Sequence, residues 1–147
     1  MARMISVYLP VEDLEASIQF YMALGCGMIR RANSVHVSTM VWSETITFVL
    51  MTHAQFATMA PKAIADVKKY SEMMILLTLD SRKEVDAVVE TAASYGGKAD
   101  IRAPVDVVGA YSRTFQDPDG HMFEVMVMDV EKAAMAKIAA GPSNARP

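Results

Sequence analysis

Apolar and polar residues alternate along Ile5-Ser6-Val7-Tyr8-Leu9, the pattern of a strand with one face toward a core. Pro10 ends it and Asp13 is placed to cap a helix, along which Leu14, Ile18, Phe20, Tyr21 and Leu24 recur at helical spacing. Gly25 and Gly27 stop that helix. Met28–Arg31 offers a short strand. Val35–Trp42 and Thr45–Met51 read as two longer strands joined by a two-residue turn at Ser43-Glu44. Met73–Leu79 is the next strand, with a helix cap at Asp80 or Ser81 and a buried stripe of Val85, Val88, Val89 and Ala92. After Gly96-Gly97, strands are expected near Lys98–Ala103, Val107–Phe115 and His121–Met128. Both halves therefore read β-α-β-β-β, a repeat of pattern more than of identity.

The predicted architecture is α+β: one domain over 1–129, made of a first module (1–52), a connector (53–71) and a second module (72–129). The connector, with Pro61 and three lysines, is either a plain surface linker or a partly helical segment over a pocket. One short helix, Glu131–Ala140, and a disordered tail from Gly141 are expected after it.

Composition narrows the picture. The 147 residues suit one domain large enough to need no disulfide or metal to fold. With 52% apolar and 21% charged residues the chain is not of the disordered class. No apolar run approaches the roughly 20 residues of a membrane span, and no apolar signal core is present, so a cytoplasmic location is expected. A net charge of −3 without a basic stripe makes nucleic acid and anionic membrane poor partners, and neither is expected. The single cysteine, Cys26, allows no internal disulfide and no thiolate-rich metal site, and reads as incidental.

Two motifs carry a family resemblance. Leu9-Pro10-Val11-Glu12-Asp13-Leu14-Glu15-Ala16-Ser17, followed by Phe20-Tyr21 and Ala23-Leu24-Gly25, resembles the opening of proteins of the vicinal oxygen chelate superfamily, which includes glyoxalase I, bleomycin-resistance proteins and extradiol dioxygenases. Phe115-Gln116-Asp117-Pro118-Asp119-Gly120-His121, followed by Glu124, resembles its closing hairpin. Within the superfamily the chain looks most similar to bacterial predicted lactoylglutathione lyases. The resemblance implies two modules whose sheets form a deep cleft, a homodimer, and a divalent metal held from the first and last strand of each module. Carried over, those positions are Ser6, Val49, Met74 and Glu124, of which only Glu124 is a normal hard-metal ligand. The histidines His36, His53 and His121 show no ligand spacing to replace the missing donors. Neither a metal nor another cofactor is therefore expected.

Strand parity gives an independent list of cleft residues. With Glu124 facing the cleft, Met122, Met126 and Met128 share its face, and Phe123, Val125 and Val127 turn to the core. Ser6, Tyr8, Met74, Leu76 and Thr78 follow on the first strands. A Ser43-Glu44 turn adds His36, Ser38, Met40, Trp42, Thr47, Val49 and Met51. Trp42 is either a stacking ring or a subunit contact, and Tyr8 and Tyr111 either donate to a ligand or cap strands at the rim. The 13 methionines fit either an adaptable apolar pocket or an irregular core or dimer seam. A tight turn at Pro118-Asp119 sets Arg113 opposite Glu124 and predicts an ion pair there. Two functions are compatible with this pattern: a glyoxalase-like enzyme with Glu124 as acid or base and Arg113 beside it, or a protein that sequesters a small apolar or aromatic molecule.

Overall fold

Local chemistry sets the element boundaries in the structure, a computed structural model that describes residues 2–141. The first module runs β1 (Ile5–Val11), α1 (Leu14–Ala23), β2 (Gly27–Met28), β3 (Val37–Val41) and β4 (Ile46–Thr52). The connector holds α2 (His53–Met59). The second module runs β5 (Met74–Thr78), α3 (Arg82–Ser94), β6 (Lys98–Ala99), β7 (Val105–Val107), β8 (Ala110–Gln116) and β9 (Met122–Met128), and α4 (Val130–Ala140) comes after it. The expected caps form: Asp13 accepts from the Ala16 amide at 3.0 Å and Ser81 from the Glu84 amide at 3.2 Å. All but the first residue of the expected tail lies outside the described residues.

Each module contributes one sheet. Sheet A has the order β1-β4-β3-β2, and sheet B the order β5-β9-β8-β6 with β7 also on β8. β1 lies parallel to β4 and β5 to β9, while the other pairs are antiparallel. The α+β class and the doubled β-α-β-β-β order are thus present, with β7 as an extra strand in the second module.

One aromatic core joins the modules. Tyr21 lies 5.4 Å from Phe48 of β4 and 6.3 Å from Phe123 of β9, ring centre to ring centre. Phe48 meets Phe123 edge to face at 5.7 Å, and Phe115 stacks on Phe123 at 4.9 Å. Both sheets therefore turn their core faces to shared rings. Their other faces, the open faces, point away from that common core. This corrects the expectation of a cleft between the two sheets of one chain.

A polar latch closes the same junction. The buried Asp117 carboxylate accepts from the Tyr21 hydroxyl at 2.8 Å and from the amides of Asp119, Gly120 and His121 at 2.9–3.0 Å. Asp119 accepts from the Glu12 amide at 2.7 Å and from the Ser17 hydroxyl at 3.3 Å. His121 donates from Nε2 to the Pro10 carbonyl at 2.9 Å. The two motifs that carry the resemblance are thus in contact. Burial pushes the Asp117 carboxyl above the usual carboxylate range, against the opposing pull of His121 and Tyr21.

Both long hairpins turn one residue later than predicted. Trp42 donates to the Ile46 carbonyl at 3.0 Å, so Val41 pairs with Thr47 and Met40 with Phe48. A two-residue hairpin turn needs a residue at positive φ, and Ser43, Glu44 and Thr45 have none. In the second hairpin the Asp117 amide donates to the His121 carbonyl at 3.0 Å, with Gly120 at φ +104° completing a three-residue turn. A one-residue slip moves every side chain of the preceding strand to the other face.

Replacing Tyr21 by Phe leaves a buried carboxylate short of one donor. We expect a loss of about 1–3 kcal/mol in urea unfolding with an unchanged far-UV spectrum. A midpoint equal to that of the parent would mean the latch contributes nothing.

Candidate functional site

Register decides which predicted residues share a face. On sheet A, Ser6 shares a 2.8 Å hydrogen bond with Thr47, and Tyr8 pairs with Val49. Thr39 pairs with Val49 from the other side. This open face is thus Ser6, Tyr8, Val37, Thr39, Val41, Thr47, Val49 and Met51. Met40 is instead fully buried in the core, and Trp42 packs against that core, so neither faces the open side. Ser38 is likewise buried, opposite Leu50. His36 is exposed just before β3. The ligand-facing expectation for His36, Ser38, Met40 and Trp42 is therefore corrected, because the wider turn inverts their strand. α2 leans over one end of the face, leaving a hollow of about 190 Å³ among Tyr8, Met51, Phe56, Met59 and Ala60.

On sheet B, Glu124 lies between Leu76 of β5 and Thr114 of β8. Met122 and Met126 flank it on β9, with Met74 one step away on β5. The Arg113–Glu124 pair is not formed. Arg113 lies opposite Val125, on the helix side, and Tyr111 lies opposite Val127 on that same side. Arg113 reaches Asp86 at 3.1 Å, Glu90 at 2.8 Å and Asp100 at 2.7 Å. Tyr111 donates to Asp86 at 2.7 Å under the guanidinium of Arg82, which pairs with Asp106. Arg113 and Tyr111 therefore fasten α3 to sheet B and do not approach Glu124. Hydrogen bonding to Arg113 holds the Asp100 carboxyl below its ordinary range, and the Tyr111 hydroxyl, then Arg113, does the same for Asp86.

Glu124 has other partners. Its Oε1 accepts from Arg102 Nη2 at 2.5 Å and from the buried Ser112 hydroxyl at 2.7 Å. Among the described residues Oε2 accepts from none. Arg102 comes from the segment between β6 and β7, which folds back over β8. Its amide donates to Thr114 Oγ1 at 3.0 Å, the Thr114 hydroxyl donates to its carbonyl at 3.3 Å, and the Asp100 amide donates to the Thr114 carbonyl at 2.7 Å. Sequence reasoning missed Arg102 by extending the strand to Ala103. Pro104, which disfavours regular pairing just there, was the available signal.

The four positions that the resemblance assigns to a metal do not fit one. Val49 has no donor, Met74 is a thioether, and Ser6 is engaged with Thr47. Glu124 Oε1 already holds a guanidinium and a hydroxyl. Ser6 and Val49 also lie on a different open face from Met74 and Glu124. Among the described residues, no three His, Cys, Asp or Glu side chains cluster closely enough to hold a metal ion. Burial pushes the Cys26 thiol up to about 12, so it is not a thiolate at neutral pH. No helix among the described residues is long and apolar enough to cross a membrane.

Residues 3–125 match the family model described as the Glyoxalase/Bleomycin resistance protein/Dioxygenase superfamily. No curated protein sequence matches the chain with significance. Among solved structures, a hypothetical protein from S. aureus is similar at 29% identity and TM-score 0.72, over 86% of this chain and 95% of that one. A glyoxalase/bleomycin resistance protein/dioxygenase family enzyme from Burkholderia phytofirmans matches at 18% identity and TM-score 0.68, over 87% and 100%. The fosfomycin resistance protein FosX from Mesorhizobium loti matches at 18% and 0.60, over 91% and 96%. The last two likenesses are of fold.

Acid sensitivity is expected of the Arg113 cluster. A carboxyl whose folded pKa is depressed adds stability above its unfolded value, about 3.9 for aspartate, and loses it as pH falls through the folded value. Asp100, at φ +49°, tolerates replacement by Asn, which also accepts that conformation. We expect Asp100→Asn to cost about 1 kcal/mol or less at pH 7. Below about pH 4 its melting temperature should fall less steeply than the parent's. Parallel curves from pH 7 to 2 would remove Asp100 from the acid response.

Proposed function

Because the chain belongs to the glyoxalase/bleomycin resistance protein/dioxygenase superfamily, we propose that it binds a small organic molecule at Glu124, without a chelated divalent metal. The observation that carries this reading is the state of the Glu124 carboxylate. One oxygen is fixed by Arg102 and Ser112, the other accepts from no partner among the described residues, and the β5 and β9 side of the face is apolar with Leu76, Met122 and Met126. A carboxylate neutralised by an arginine needs no cation for charge balance, while its open oxygen remains available to a ligand donor.

The same reading takes the functional unit to be a homodimer. β1 and β5 are the outer strands of their sheets, and Tyr8, Met74, Met128 and Leu76, the last 50% exposed, lie bare on the open faces. One chain cannot cover these faces with its own sheets, since both sheets face the common core. A second copy, setting sheet A of one chain against sheet B of the other, would bury them and enclose the ligand. A catalytic role is the second reading, favoured by the open Glu124 Oε2, which is placed to take a proton from a bound ligand.

Dialysis against nickel, zinc or iron followed by elemental analysis should leave less than one tightly held ion per chain. One retained ion per chain that disappears in Glu124→Gln would overturn the metal-free reading. Sedimentation equilibrium should return twice the chain mass at micromolar concentration, and a monomer throughout would sink the shared-site arrangement.

A further inference from the structure

If Glu124 is a ligand-binding group, as the proposed function holds, the chemistry around it also narrows the class of ligand. Arg102 is held from its backbone. Thr114, itself fully buried, both accepts from the Arg102 amide and donates to the Arg102 carbonyl. Two residues earlier, Asp100 is tied through its amide to the Thr114 carbonyl and through its carboxylate to Arg113. A loop fixed at both of these points delivers the guanidinium to one oxygen of one carboxylate. A solvent-exposed arginine drifting onto a nearby glutamate would need none of these ties.

The pair leaves matched valences open. A guanidinium has five N–H donors, and among the described residues Arg102 gives one of its side-chain bonds to protein, the bond from Nη2 to Glu124 Oε1. Its side chain is 48% exposed and its remaining donors have no protein partner among the described residues, whereas Glu124 is only 15% exposed. Oε2 of that sheltered carboxylate is an acceptor next to those donors. A simple carboxylate ligand would gain Arg102 but meet the negative Oε2. A neutral ligand would meet Oε2 with a donor but leave the guanidinium unused. A ligand with a carboxylate and a neighbouring hydroxyl or amino donor satisfies both, and Leu76, Met122 and Met126 beside the pair suit an apolar substituent on it.

We propose that Arg102 is the cation of this site, standing beside Glu124 where the family pattern would place a metal ion, and that the pair binds a small 2-hydroxy or 2-amino carboxylic acid with an apolar side chain. The carboxylate lies on the free edge of the guanidinium and the adjacent donor on Glu124 Oε2. Unlike a metal, this cation is covalently tied to the chain and permanently charged.

Isothermal titration calorimetry on the full chain tests this with three probes: 2-hydroxy-3-phenylpropanoate, 3-phenylpropanoate and the methyl ester of the hydroxy acid. The hydroxy acid should bind about tenfold or more tighter than either of the others, as loss of one charge-assisted hydrogen bond implies. Arg102→Met should reduce it to the level of the ester, and Arg102→Lys should restore part of the difference. Methionine-methyl NMR should show Met122 and Met126 shifting with the hydroxy acid in the parent protein. Unchanged melting of both variants would confirm that the fold persists. A hydroxy acid no tighter than its ester, or one bound equally by Arg102→Met, overturns this inference and leaves the ligand-binding reading standing. Failure of all three probes, together with failure of neutral aromatics such as indole and 2-naphthol, overturns both.

Discussion

The buried carboxylate of Asp117 is the constraint on which the rest of the molecule depends. A charge taken out of water is tolerated only when its oxygens are satisfied, and here the Tyr21 hydroxyl and three successive amides satisfy them. Those amides come from the last hairpin turn and the hydroxyl from the first helix. Ionic satisfaction of one residue therefore fixes where the second module sits on the first. It also fixes the turn itself: gathering the amides of residues 119–121 around one carboxylate demands the wider loop, with Gly120 at positive φ.

That loop sets the chemistry of the open face. With Asp117 opposite His121, Thr114 comes beside Glu124, Ser112 reaches its Oε1, and Arg113 turns to the helix side. One residue fewer in the turn would have reversed these assignments. The guanidinium that Glu124 receives is then supplied from the crossing segment, at Arg102, while Arg113 joins acidic residues of α3 and Asp100. Two arginines thus have separate work: one locks a helix, the other pairs with Glu124.

The parts of the fold that are legible in residue order are those governed by local rules. The parity of β9 and β5 was readable because Phe123, Val125 and Leu77 are buried in the core while Glu124, Leu76 and Met126 are not. Helix caps at Asp13 and Ser81 were readable because their side chains act within three residues. Hairpin registers were not. They turn on whether a loop has two residues or three, and in both loops the answer depended on backbone φ or on a carboxylate buried by distant elements. The bond from the His121 ring to the Pro10 carbonyl was equally out of reach, since it joins residues from opposite ends of the chain. Arg102 was hidden for the same reason: nothing local announces that Thr114 will pin it beside Glu124.

The latch also governs the order in which the protein can mature. Tyr21 and Asp117 are 96 positions apart, and the His121–Pro10 bond spans 111. While the chain is being synthesised, the first module waits with its phenol and half its aromatic core uncovered until nearly the whole second module has left the ribosome. Closing so long a loop costs entropy that only the completed junction can offset. The nascent first half consequently keeps those rings exposed for as long as translation takes to deliver the final hairpin.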